Sequence, residues 1–148
     1  MAGPISYIGG KLWVKAELPT AYTTTAYAAL TWVEVKGVVD IGEIGDQQND
    51  ITIDALDGRV QHANGSSDLG EIPVTLQFIH DDAGQVVIRA NAGTNADISF
   101  RIDDPDGQKK YFSGKLANLR DRARSSTEYK GDTFVIRGNT AVVKTAPT

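Results

Sequence analysis

The segment 70 to 80 (GEIPVTLQFIH) sets Ile72, Val74, Leu76, Phe78 and His80 on one side and Pro73, Thr75, Gln77 and Ile79 on the other. A period of two requires an extended chain with one buried face, and no other stretch of this chain alternates so cleanly for so long. A sheet is therefore the minimum architecture. Pro73 has no N–H for a ladder, which places it at a strand start or on an edge. The same period recurs in KLWVKAEL (11 to 18), where Leu12, Val14, Ala16 and Leu18 oppose Lys11, Trp13, Lys15 and Glu17. Further strands are expected around Ile98, Phe100 and Ile102, around Phe112 and Leu116, around Phe134 and Ile136, and in AVVKT at 141 to 145.

Asp104-Pro105-Asp106-Gly107 falls between two of these strands. Proline presets one turn dihedral and glycine accepts positive φ, so the pair reads as a hairpin. Gly138-Asn139 suggests a second tight turn and a C-terminal hairpin. One segment leaves the β pattern: Ala83, Val86, Val87 and Ala90 have helical spacing, Asp81 or Asp82 is available as a cap, and Gly93 fits the position after the last turn. A single flanking helix of about three turns is expected there, weakened by Gly84. Residues 40 to 71 form a long loop or hairpin arm, rich in Gly, Asp, Asn and Gln, with ITIDAL as its one possible strand; a segment of this kind tends to be functional or to order on a partner. The tail from Lys144 to Thr148 reads as frayed. The fold class that results is mainly β: a β-sandwich or partly closed barrel of two sheets with one flanking helix and a long arm, in a single domain spanning 1 to 148.

At 148 residues the chain is long enough to bury a core unaided, and it contains no Cys, which removes thiol catalysis, Fe–S clusters and Cys-based zinc sites. The net charge of -4 opposes a main role in gripping DNA phosphates. MAGPISYIGGKLWVKAEL lacks a basic region followed by a long apolar run, so no export signal and no membrane association are expected. Charge is unevenly placed. Within 40 to 71, Asp40, Glu43, Asp46, Asp50, Asp54, Asp57, Asp68 and Glu71 face a single base, Arg59. Within 108 to 137, Lys109, Lys110, Lys115, Arg120, Arg122, Arg124, Lys130 and Arg137 outnumber Asp121, Glu128 and Asp132. Opposite patches on one domain are what a head-to-tail contact between copies requires, although solvated loops would show the same counts.

Catalytic patterns are missing. His62 and His80 form no HxH or HExxH spacing and read as surface or satisfied histidines. Asp104, Asp106 and Gly107 match part of a calcium loop, but Ile102 and Ser113 occupy the positions where carboxylates belong. Asp54 with Asp57, and Asp81 with Asp82, are adjacent carboxylates with nothing to place them in a cleft. There is no GxSxG, P-loop or GxGxxG. No enzyme, cofactor or metal is expected. Asn64-Gly65-Ser66 fits a glycosylation sequon and reads more simply as a turn. Tyr22, Tyr27 and Trp32 cluster ahead of the arm, and packing on the sandwich is favoured over stacking on a ligand.

Three stretches, TAYAALTWVEVKGVVDIG, HDDAGQVVIRANAG and ISFRIDDPDGQKKYFSGKLANL, give the chain an order of elements that resembles a siphophage major tail tube protein. The resemblance covers most of the chain and rests on order and spacing. It implies a virion protein assembled in the host bacterial cytoplasm: six copies to a ring, rings stacked around a tape-measure protein, capped by tail-terminator and baseplate or tail-tip proteins, and a lumen that passes phage DNA without binding it specifically. The arm would then be the inter-ring loop, with Asp40, Glu43, Asp46, Asp50, Asp54 and Asp57 meeting Arg120, Arg122 and Arg124 of another copy. Two readings compete with it. One is another part on the same fold, such as a terminator; the other is a small monomeric β-sandwich ligand-binding module with Tyr22, Tyr27 and Trp32 as its platform.

Overall fold

A computed structural model describes residues 6–147. Met1–Ile5 and Thr148, at the start of the expected signal-free N-terminus and the end of the expected frayed tail, lie outside the described residues. Ten strands and two helices follow in the order β1 (Lys11–Lys15), α1 (Thr24–Ala28), β2 (Val33–Val35), β3 (Val38–Ile41), β4 (Gln47–Asp54), β5 (Val60–Asp68), β6 (Glu71–Gln77), α2 (Ala83–Asn91), β7 (Ile98–Asp103), β8 (Lys109–Asp121), β9 (Gly131–Gly138) and β10 (Val143–Lys144).

Eight strands form one antiparallel sheet in the order β2-β1-β7-β8-β9-β6-β3, with β10 also on β8. β8 holds it together. Its first half pairs with β7, from Asp103 opposite Lys109 to Ile98 opposite Gly114, and its second half pairs with β9, from Gly114 opposite Gly138 to Asp121 opposite Asp132. Gly114 occupies the changeover, where a Cβ would stand 2.2 Å from the carbonyl oxygen of Arg137. The two layers of the expected sandwich are therefore two halves of one sheet sharing a long strand. Leu12, Val14, Phe100 and Phe112 from one half and Ile72, Val74, Leu76, Leu116, Phe134 and Ile136 from the other bury into a single core. The strand path ends at β2 and β3, so no closed barrel forms.

The alternating segments fold as their period dictates, with Ile72, Val74 and Leu76 inward on β6 and Leu12 and Val14 inward on β1. β1 stops at Lys15, however, and Ala16 and Leu18 are exposed. Pro73 lies inside the sheet rather than at an edge, opposite Val135. Its carbonyl accepts from the Gly42 N–H at 2.8 Å, so its donor-less nitrogen points where β3 has just ended, and Gly42 leaves room for the ring. The turn at Asp104–Gly107 closes β7 and β8 with a Gly107 N–H to Asp104 C=O bond of 3.0 Å. The expected C-terminal hairpin does not form: β10 continues along the same side of β8, opposite Tyr111 and Lys110. Thr145 then exchanges two bonds with Lys109, so the tail's first residues are paired.

α2 begins at its cap Asp82, whose carboxylate accepts from the Gln85 N–H, and ends before Gly93 at φ 77. Its buried face is Gly84, Gln85 and Ile88; the expected Ala83, Val86 and Ala90 are exposed. Gly84 explains the rotation, because a Cβ there would stand 2.4 Å from the Glu34 carbonyl oxygen, so the helix lies directly on the backbone of β2. A second short helix, α1, carries Tyr27 under cover of the sheet.

Candidate assembly surfaces

The residues considered for chemistry are separated or occupied. Asp82 caps α2 and also accepts from the Lys36 N–H, while Asp81 is exposed. Asp54 and Asp57 are exposed on the arm. His62 binds Asp50 at 2.9 Å on an exposed strand, and His80 lies beside Phe78. Among the described residues no group of three or more His, Asp or Glu gathers as a metal site. Tyr27 is fully buried, stacked on Tyr111 at 5.3 Å, with its hydroxyl 2.9 Å from Ser113 Oγ. Trp32 packs on the same Tyr111 and donates to the Tyr27 carbonyl. Of the three, Tyr22 is exposed, Trp32 half-buried and Tyr27 fully buried, so packing on the sandwich accounts for two of them.

The arm is a β-hairpin. β4 and β5 pair only with each other and form a separate two-stranded sheet, exposed along almost its whole length. Cross-strand partners share a face. Ile51 lies opposite Ala63 and Ile53 opposite Gln61, making one uncharged face on which Ile51 and Ile53 are 51% and 58% exposed. Asp50 opposite Asn64, Thr52 opposite His62 and Asp54 opposite Val60 make the other, which is acidic. Leu56 is fully exposed at the tip. A two-stranded hairpin is marginal in water, and both of its outer edges offer unpaired backbone groups.

The basic block of the sequence is not one patch. Lys109 and Lys110 begin β8, Lys115 binds Asp97, and Arg137 binds Glu71 at 3.0 Å. Arg120, Arg122, Arg124 and Lys130 gather at the other end of β8, in and before the loop 122–130. Arg122 lies 3.9 Å over the Tyr129 ring and binds Glu128; Arg124 binds Asp121. Among the described residues Arg120 has no ion pair or hydrogen-bonded side-chain partner, and it follows a bulge at which Asn118 adopts φ 58. One residue that the charge pattern of the sequence does not single out also belongs to this end: Arg89, which with Lys130 brackets the Phe78 ring at 4.8 and 4.2 Å.

Sheet register fixes how the two charged features relate. The loop leaves where Gln77 of β6 lies opposite Gly131 of β9. The arm leaves from the other end of the same strands, where Gly42 bonds to Pro73 and Gly138 to Gly70. Six residue steps of β6 separate the ends, about 20 Å at ~3.3 Å per step. The acidic arm and the basic loop thus emerge from opposite ends of the sheet.

No protein-family model matches this chain, and no curated protein matches its sequence. Its fold has clear counterparts among solved structures. A chain from the extended-state sheath/tube terminator of an extracellular contractile injection system, PVC, aligns over 98% of this chain and 99% of its own length, with a TM-score of 0.66 at 10% identity. A chain from the extended PVC sheath–tube complex aligns over 97% and 92%, with a TM-score of 0.63 at 11% identity. A chain from the tube-terminating cap of the anti-feeding prophage aligns over 99% and 93%, with a TM-score of 0.64 at 12% identity. This chain has a tail-tube-like fold.

Proposed function

We propose that this protein is a structural subunit of a tail tube: six copies close into a ring, and rings stack around a tape-measure protein into the conduit through which phage DNA leaves. The observation that carries the reading is the placement of an acidic hairpin and a basic loop at opposite ends of one sheet, on a fold shared with chains of tube and terminator assemblies. Complementary surfaces on opposite ends make a heterologous contact, and a heterologous contact along an axis propagates. Asp46, Asp50, Asp54 and Asp57 of one copy meet Arg120 and Arg124 of the next in this arrangement, with Asp40 and Glu43 at the root of the arm.

The test is assembly of the purified protein, followed by negative-stain electron microscopy and sedimentation. Stacked tubes are expected from the native chain. Replacing Arg120, Arg122 and Arg124 by Glu blocks stacking; because Arg122 also packs on Tyr129, the Arg120→Glu/Arg124→Glu pair is the cleaner variant. Tubes of unchanged length from that pair would refute the contact.

The solved counterparts that come from a terminator and a terminating cap favour a second reading, a terminal ring of the same fold. It predicts single rings at every concentration that add to the end of a tube and stop its growth.

A further inference from the structure

Two carboxyl groups oppose each other at the root of the basic loop. Asp121 of β8 and Asp132 of β9 form the rung next to the loop 122–130. Asp121 is exposed and accepts from Arg124 at 3.0 Å. Asp132 is 7% exposed. Its ion-pair partner is Arg89 of α2, whose Nε stands 4.0 Å away and has no hydrogen-bond acceptor, because the other guanidinium nitrogens bind the Ile79 and His80 carbonyls and the Gln85 side chain. Lys130 is the remaining cation that bears on Asp132, and it leans over Phe78. Arg122, on the same loop, is committed to Glu128 and Tyr129.

Like charges directly opposite on a ladder repel, and two carboxyls sharing one site favour holding a single proton between them. Burial first, then the hydrogen bond and negative charge of Asp121, push Asp132 above the usual carboxylate range; Arg89 and Lys130 pull it down less strongly.

We propose that the Asp121–Asp132 pair takes up one proton on acidification, raises the positive charge of the basic loop end, and so makes docking of a second copy's acidic surface proton-linked. The docking half rests on the tube reading above; the protonation half does not. With both carboxyls ionised, Arg120, Arg122, Arg124 and Lys130 are set against Asp121, Glu128 and Asp132. One proton removes one of those three negative charges and the repulsion across the rung together. By linkage, the arrival of neighbouring carboxylates favours proton uptake in return.

The experiment uses the full chain carrying His62→Gln and His80→Gln, so that neither imidazole, on the arm or beside Phe78 at the loop end, contributes to the pH dependence. Carboxyl carbon NMR on the unassembled subunit follows each aspartate, and sedimentation gives the critical concentration for assembly across pH. Asp132 titrates above the usual carboxylate range, and Asp132→Asn at neutral pH lowers the critical concentration roughly two- to fivefold, the worth of one exposed charge contact, while flattening its pH dependence. Asp121→Asn, on the exposed side of the rung, is the second variant: it brings the titration of Asp132 down and lowers the critical concentration in the same direction. An Asp132 that titrates with the other carboxylates overturns the proposal even if tubes form. An elevated Asp132 in a protein that assembles at no pH leaves the protonation standing and overturns the docking half along with the tube reading. Variants whose assembly follows the parent's pH profile overturn the docking half alone.

Discussion

Replacing Gln85 by Leu removes a side chain that fastens three separate segments at once. Gln85 is 1% exposed. Its Nε2 donates to the carbonyls of Lys36 at 2.6 Å and Gln77 at 2.8 Å, and its Oε1 accepts from the Ile79 N–H at 3.0 Å and from Arg89 at 2.9 Å. Lys36 lies in the corner where the chain passes from β2 in one half of the sandwich to β3 in the other. Leucine matches the volume, so the loss is polar: two carbonyls and one N–H at a half-buried corner lose those partners, at up to about 1–3 kcal/mol each. Relaxation and entry of water lower the sum, and about 3–5 kcal/mol is expected, a large fraction of the stability of an ordinary domain. At about 2–4 °C per kcal/mol for a chain of this length, the melting temperature falls roughly 10–15 °C. Urea unfolding of the unassembled subunit measures it, and amide exchange at Ile79 reports the local cause. A loss under about 1 kcal/mol, with Ile79 still protected, would show that the corner is held by the sheet alone.

Gly84→Ala ordinarily strengthens a helix by up to about 1 kcal/mol. Here the added carbon meets the backbone of Glu34 and Val35 at 2.4–2.6 Å, so the variant is expected to be destabilised by about 2–3 kcal/mol on urea unfolding, and a stabilised variant would refute the packing. Asp103 sets an acid limit. Burial opposes its charge, but bonds from Arg101 and the Trp13 indole N–H, with the charges of Arg101 and Lys109, hold it below the usual carboxylate range. A depressed carboxylate contributes stability that is full above its unfolded value and is lost as pH falls through the folded one. Unfolding from about pH 5 down to pH 2 is therefore expected to be less pH-dependent in Asp103→Asn than in the native chain, and equal slopes would refute the assignment.

Much of the fold was legible because short-range chemistry determines it. The inward Ile72, Val74 and Leu76, the turn at Asp104–Gly107, and the helix between Asp82 and Gly93 all follow from period, capping and glycine conformation. The misses came from long-range packing. The apolar residues of the helix point to one face, whereas a backbone approach at Gly84 and a hydrogen-bonded Gln85 decide which side is buried. β5, VQHANGSSD, has neither alternation nor β-branched content beyond its first residue, and pairs through its backbone with β4 across the five-residue connection 55–59. Gly138-Asn139 has the composition of a tight turn, yet β8 is long enough to take β9 and β10 in succession on one side, so the chain runs on. The charged block from 108 to 137 was visible, but only the register showed that Lys109 and Arg120 stand at opposite ends of one strand.

Those opposite ends also bear on how the arm is stabilised. Within one subunit the hairpin buries almost nothing: Ile51, Ile53 and Leu56 remain exposed and its acidic face is turned from the basic loop by the length of β6. Burying the exposed half of Ile51 and of Ile53 would contribute about 1–1.5 kcal/mol each, above the typical worth of an exposed ion pair of the kind available to Asp54. In the proposed tube, these magnitudes give the uncharged face the affinity of the arm contact and leave the carboxylates to set its register and exclude wrong neighbours. Replacing Ile51 and Ile53 by Ser should therefore weaken assembly more than replacing Asp50 and Asp54 by Asn, and it should do so at high salt as well as low. If raising the salt abolishes tubes of the native chain, while the serine variant assembles normally at low salt, charge rather than burial holds the rings together.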